Sequence, residues 1–138
     1  MADLLKLGQS VLQKQPFSAH LGAELVSFET GRAVLALDVR PEFLQQHGFV
    51  HGGVVSYLID NALTFAGGSV LGESVVTAEY KVNYLRPAGG GRLLATATVE
   101  ASGRRLAVCR CEVTSAVEGK ESRSAVGQGT IVVLNSSE

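Results

Sequence analysis

The sequence predicts an α+β chain in which about six antiparallel strands wrap one long, buried helix. Three observations carry this expectation. First, residues 51–66 hold Val54, Val55, Leu58, Ile59, Ala62, Leu63, Phe65 and Ala66, so the segment is apolar on almost every side. A helix of that kind must be buried by the rest of the chain. Second, six other segments (22–29, 32–39, 74–85, 92–101, 104–117 and 121–134) alternate or run apolar as strands do. Third, the turns between them are short, which makes neighbouring strands antiparallel. A chain of 138 residues suits one domain with one core, here residues 1–138.

In chain order, the spacing of Leu4, Leu5, Gly8, Val11 and Leu12 fits a short amphipathic helix within residues 1–15, ended by Pro16. A loop through Phe17 and His20 is expected next. Residues 22–29 and 32–39 read as a hairpin about Glu29-Thr30-Gly31, and Ala33, Leu35, Leu37 and Val39 give its second arm one wholly apolar face. Pro41 closes that strand, and residues 42–50 form a loop into the long helix. No Ser, Thr, Asp or Asn precedes Gly52-Gly53, so the helix start is expected to be uncapped. Gly67-Gly68 is expected to lie just past its end. Among the strands that follow, both faces of 104–115 carry apolar residues, and this strand is expected to be central. Residues 135–138 are expected to fray.

Composition narrows the function. The net charge is −1 and the pI about 6.3, which speaks against a nucleic-acid binder. The hydrophobic share of 46% and mean hydropathy of +0.21 point to a heavily buried core with oligomer interfaces. No apolar run reaches the length of a membrane span, and the first residues do not form a secretory signal. Cys109 and Cys111 lie two apart on a strand, so their side chains share one face, a poor arrangement for a mutual disulfide. They are expected to be buried free thiols in a reducing, cytoplasmic setting. No His, Asp, Glu or Cys cluster has metal spacing, so no metal is expected.

The helix carries one carboxylate, Asp60, on a narrow stripe with Ser56 and Thr64. A charge in apolar surroundings needs a compensating reason. The Gly52-Gly53 start offers free backbone N–H groups at the positive end of the helix dipole, which suits a developing oxyanion.

His51-Gly52-Gly53, with Leu58, Asp60 and Ala62 following, and then Val76-Thr-Ala-Glu-Tyr-Lys-Val-Asn-Tyr-Leu-Arg-Pro87, resembles the hotdog-fold acyl-CoA thioesterases of the PaaI type. The resemblance runs from about Phe17 to Leu134. It implies the hotdog fold, an acyl-CoA substrate with no further cofactor, and an active site at a dimer interface, the dimers pairing into a homotetramer. It further implies that Asp60 is the nucleophile or general base, that the Gly52 N–H polarises the thioester oxygen, and that Thr77 orients the attacking water. Many members carry an Asn six residues before the motif His. Gln45 stands there in this chain, retaining the amide at the end of a longer side chain.

Other residues have plainer readings beside functional ones. His51 either fixes the loop or touches substrate, Gly53 allows close approach of a chain or ligand, and His20 and His47 carry no signal. Phe49, Tyr57, Leu58 and Phe65 are candidates to line an acyl pocket. Arg86, Arg92, Arg104 and Arg105 sit at strand ends; Arg86 and Arg104 are the candidates to bind the phosphates of coenzyme A, for which arginine is suited. The alternatives to a thioesterase are a hydratase or dehydratase on acyl thioesters, or a non-catalytic acyl-CoA-binding protein. No membrane or nucleic-acid partner is expected.

Overall fold

The computed structural model describes residues 3–135, so most of the expected frayed tail, 136–138, lies outside the described residues. The elements are α1 (Leu4–Gln13), α2 (Pro16–Leu21), β1 (Glu24–Glu29), β2 (Arg32–Asp38), a single 3₁₀ turn (Pro41–Phe43), α3 (Gly52–Leu71), β3 (Val75–Tyr84), β4 (Arg92–Ser102), β5 (Leu106–Val117) and β6 (Lys120–Val133). The strands form one antiparallel sheet in the order β1-β2-β4-β5-β6-β3. This is the expected sheet around a helix. β5 lies between β4 and β6, in the expected central place, with one face buried and the other carrying exposed Leu106, Arg110 and Glu112.

Four local expectations change. Pro16 begins a helix as well as ending one. It occupies the first turn of α2, where its missing N–H costs nothing, so Phe17–His20 is helical rather than a loop. Gly67 and Gly68 lie inside α3, which runs on to Leu71 and is closed by Gly72 at φ 111°. The helix start is capped after all, by the Nδ1 of His51. Finally, β3 and β4, consecutive in sequence, are not neighbours: β3 pairs only with β6 and forms a sheet edge. The link between them crosses about 14 Å of strand spacings, and Ala88 in that link accepts the Val50 N–H at 3.0 Å.

The core lies between α3 and the concave face of the sheet. Leu35, Leu37, Leu58, Ile59, Leu63, Leu93, Val113 and Ile131 are fully shielded from solvent. By length and composition α3 is apolar enough to cross a membrane, with 20 residues and mean hydropathy 1.3. Its apolar residues are instead absorbed by the sheet. Two reciprocal fits set how closely they pack. A Cβ on Gly127 of β6 would lie 2.7 Å from Ile59 Cγ2, and a Cβ on Gly67 of α3 would lie 2.7 Å from Ile131 Cβ. Glycine at each place lets an isoleucine of the other element seat against bare backbone.

Cys109 and Cys111 are buried free thiols, on the β5 face that also carries Ala107 and Val113. Burial pushes Cys109 up to about 11 and, joined by the negative charge of Glu112, pushes Cys111 up to about 12. Neither is a reactive thiolate near neutral pH.

Two outcomes follow from this packing. Gly67→Ala should lower the unfolding free energy by about 1–3 kcal/mol in urea titrations, despite alanine's better helix propensity, because the core is overpacked. Thiols in the unfolded chain ionise near pH ~8.5 while the folded ones stay protonated. Their contribution to stability is therefore intact below that pH and declines as pH rises toward 11–12. The urea midpoint of Cys109→Ala should fall less steeply over that interval than that of the parent chain.

Candidate active site

The predicted residues fall into two groups, one at the N-terminus of α3 against the end of β3, the other two turns along α3 against the start of β3. At the N-terminus of α3, the His51 Nδ1 accepts the Gly53 N–H at 2.8 Å. As an acceptor, that nitrogen carries no proton, which leaves Nε2 as the ring's donor. The two glycines have separate reasons. A Cβ on Gly53 would lie 3.0 Å from His51 Nδ1 and crowd the cap. A Cβ on Gly52 would meet the Tyr84 ring at 3.3 Å, where the Tyr84 hydroxyl donates to the Gly52 carbonyl at 3.0 Å. The Gly52 N–H has no hydrogen-bond partner among the described residues. It lies at the positive end of a 20-residue helix.

A cavity of about 470 Å³ opens at this end, lined by Gln45, Phe49, Gly52, Tyr84, Arg86 and Ser124 among others. Gln45 is held in its loop: its backbone N–H donates to Phe49 O at 2.8 Å, and its side-chain oxygen accepts the His47 N–H. Gln45, Phe49, Gly52 and Arg86 are thus brought together.

The second group lies two turns along α3. Ser56, Asp60 and Thr64 form the polar stripe and all face β3. The Ser56 and Tyr80 hydroxyls are 2.7 Å apart. Thr77 donates to Asp60 Oδ1 at 2.6 Å, and Thr64 donates to the Asp60 carbonyl at 2.8 Å while its hydroxyl lies 3.0 Å from that of Thr77. A carboxylate half-buried in an apolar helix is thus oriented by one hydroxyl, itself positioned by another. Such an arrangement suits a carboxylate that attacks a carbonyl or takes a proton from water.

The remaining candidates lie elsewhere. Leu58 is a core residue. Tyr57 turns toward α2: its hydroxyl donates to Ser18 Oγ at 2.6 Å and accepts from Asn61 Nδ2 at 3.1 Å, and its ring meets Phe17 edge-on at 5.3 Å. Burial pushes its phenol above the usual range. Arg104 is exposed in the turn between β4 and β5. Arg92 is occupied by Glu24 at 2.9 Å and Asp38 at 2.8 Å. Among the described residues no group of three or more His, Cys, Asp or Glu side chains is placed to hold a metal. Sequence reasoning did not single out Tyr84 or Thr64 as site residues. For Thr64 the signal was present, since it lies one turn beyond Asp60 on the same stripe. For Tyr84 it was not, since its contact with Gly52 joins residues 32 apart.

Comparison with known proteins agrees with this geometry. The thioesterase superfamily model matches residues 47–122, more than half of the chain and including His51, Asp60 and Thr77. The medium/long-chain acyl-CoA thioesterase YigI of Salmonella typhimurium is 30% identical, over 79% of this chain and 82% of that one. The acyl-coenzyme A thioesterase PaaI of Escherichia coli is 32% identical, over 69% and 68% of the two chains. A thioesterase family protein from Silicibacter pomeroyi superposes with a TM-score of 0.91 at 34% identity, covering 96% of this chain and 98% of its own. The E. coli PaaI structure superposes at 0.83 with 24% identity, a likeness of fold. With the sheet around α3, the His51-Gly52-Gly53 start and the oriented Asp60, these matches establish that the chain belongs to the thioesterase superfamily, as a PaaI-type hotdog-fold thioester hydrolase.

Proposed function

We propose that the substrate is an acyl-CoA thioester, hydrolysed to a free carboxylic acid and coenzyme A at a site shared by two copies of the chain. The observation that carries this reading is the Asp60 carboxylate, held by Thr77 at 2.6 Å on an edge strand. Gly52 and Asp60 are eight residues apart on α3, about 12 Å along its axis, too far to act on one carbonyl. Gly52 lies against Tyr84 at the end of β3, whereas Asp60 lies against Thr77 near its start. If β3 pairs with β3 of a second copy about a twofold axis, the start of one strand meets the end of the other. Gly52 of one protomer then approaches Asp60 of its partner. The unpaired rim of β3 favours such pairing.

In this reading the thioester oxygen accepts the Gly52 N–H, and charge developing there is stabilised by the helix N-terminus. Asp60 of the partner either attacks the acyl carbon or takes a proton from a water that does so. The carbon–sulfur bond breaks, sulfur leaves as the coenzyme A thiol after gaining a proton, and water supplies the oxygen of the acid. His51 holds the turn that presents Gly52. Arg86, at the same cavity as Gly52, is the group to meet a coenzyme A phosphate, with Arg104 a second cation at the exposed rim. Pairing of dimers into a homotetramer belongs to the same reading, favoured by exposed Val26 and Leu106 on strands other than β3. The buried free thiols favour a reducing, cytoplasmic setting.

Asp60→Asn should lower kcat for thiol release by at least about 10²-fold while leaving thermal unfolding near that of the parent. Near-normal turnover would remove Asp60 from the chemistry. His51→Ala should cost about 0.5–2 kcal/mol of stability through the lost cap, and lower kcat/KM through the displaced Gly52. If hydration of an unsaturated acyl-CoA exceeds thiol release in the parent chain, the hydratase reading replaces this one.

A further inference from the structure

We propose that the apolar cavity between α1 and the C-terminal half of α3 receives the far end of a straight aliphatic acyl chain, and that Gly68 sets the chain length it accepts. This rests on the acyl-CoA reading of the site. The cavity measures about 370 Å³, within the range of small-molecule sites. Leu7 and Val11 of α1, Phe28 of β1 and Phe65 and Val70 of α3 supply apolar surface. Phe28 and Phe65 meet edge to face with centroids 5.5 Å apart, a rigid wall.

Three features specify the occupant. The oxygens of Ser69 and Gln15 on the wall are already engaged, and the one charged lining residue, Glu73, is exposed. The Ser69 hydroxyl donates to Ala66 O at 2.6 Å and accepts the Gly31 N–H at 2.8 Å. The Gln15 Oε1 accepts from Ser18 at 2.6 Å and from Asn61 at 3.0 Å. The inner wall thus presents mainly apolar surface and engaged oxygens, which suits an alkyl chain that offers no hydrogen bonds. The cavity also reaches the residue beside the proposed chemistry. Thr64 lines it, and the same hydroxyl lies 3.0 Å from that of Thr77, the residue that holds Asp60. A carbonyl held at Asp60 would thus have its chain directed past Thr64 into the cavity.

The third feature is Gly68. Glycine is a poor helix former. Gly68 is half-buried, and the buried Gly67 beside it has a packing reason, the clash between a Cβ there and Ile131. Gly68 has none: a Cβ there would meet only Val75 Cγ2, at an ordinary 3.5 Å. Its backbone is helical and needs no positive φ. What its missing side chain preserves is volume in the cavity.

The test measures kcat/KM for thiol release over saturated acyl-CoAs of increasing length, in the parent chain, Gly68→Ala and Gly68→Leu. In the parent, each methylene taken into the cavity should raise kcat/KM about fourfold until the cavity is full. Gly68→Leu should end that rise at a shorter chain, with Gly68→Ala between, and thermal melting should show Gly68→Ala at least as stable as the parent. A flat length dependence in the parent, or one shifted by neither variant, would overturn the proposal. Binding of a fluorescent polyene fatty acid separates it from the reading it rests on. Binding that Gly68→Leu weakens tenfold or more supports the cavity assignment even if no acyl-CoA is hydrolysed, and equal binding by parent and variant counts against it.

Discussion

The reciprocal seating of α3 on β6 sets the distances on which the rest depends. Ile59 enters the space left by Gly127, and Ile131 enters that left by Gly67. Each contact requires one residue of the pair to lack a side chain, so together they fix the helix against the sheet in both height and register. Dense interiors transmit such constraints with little slack. Because Asp60 directly follows Ile59, the seating that buries the isoleucine turns the carboxylate toward the edge strand. Thr77 then stands within hydrogen-bond reach of Asp60.

The same logic governs the helix start. A chain entering an apolar helix has N–H groups to satisfy, and here His51 takes one while leaving its neighbour unpaired. Gly53 makes room for the imidazole, and Gly52 makes room for Tyr84. The pair of glycines thus serves two contacts of different origin, one within three residues and one across the fold. The outcome is a donor held rigidly at the positive end of a helix dipole, a placement that stabilises charge as it forms rather than charge already present. Under the proposed mechanism, chemistry and cap share three residues, so a change at His51 is expected to touch stability and turnover together.

β3 connects the two ends. It is one edge of the sheet, its inner face carries Thr77 and Tyr80 against α3, and its far end brings Tyr84 to Gly52. An edge strand of this length, with its outer rim unpaired, is a hazard unless something covers it. A second copy would cover it and, by the antiparallel sense of the pairing, place unlike ends of the two helices beside each other. In the proposed dimer, protecting the edge and assembling the site would have one solution.

The sequence by itself determined the element types, the burial of the long helix, the central place of β5 and the isolation of Asp60, because hydrophobic periodicity and local turn chemistry are properties of neighbouring residues. It also pointed to Gly52 and Asp60, whose residue types are conspicuous where they stand. Local rules went astray where a residue has two permitted uses. Pro16 ends one helix and starts the next, and Gly67-Gly68 reads as a stop until Ile131 shows why glycine is needed inside the helix. Histidine is an uncommon cap, so the role of His51 was hidden by its own reputation. The tertiary structure alone decided that β3 leaves β4 for the edge beside β6, that Tyr57 serves α2, and that Tyr84 reaches Gly52. Each of these joins residues far apart in the chain, and such pairings follow from how the whole core packs rather than from any local pattern.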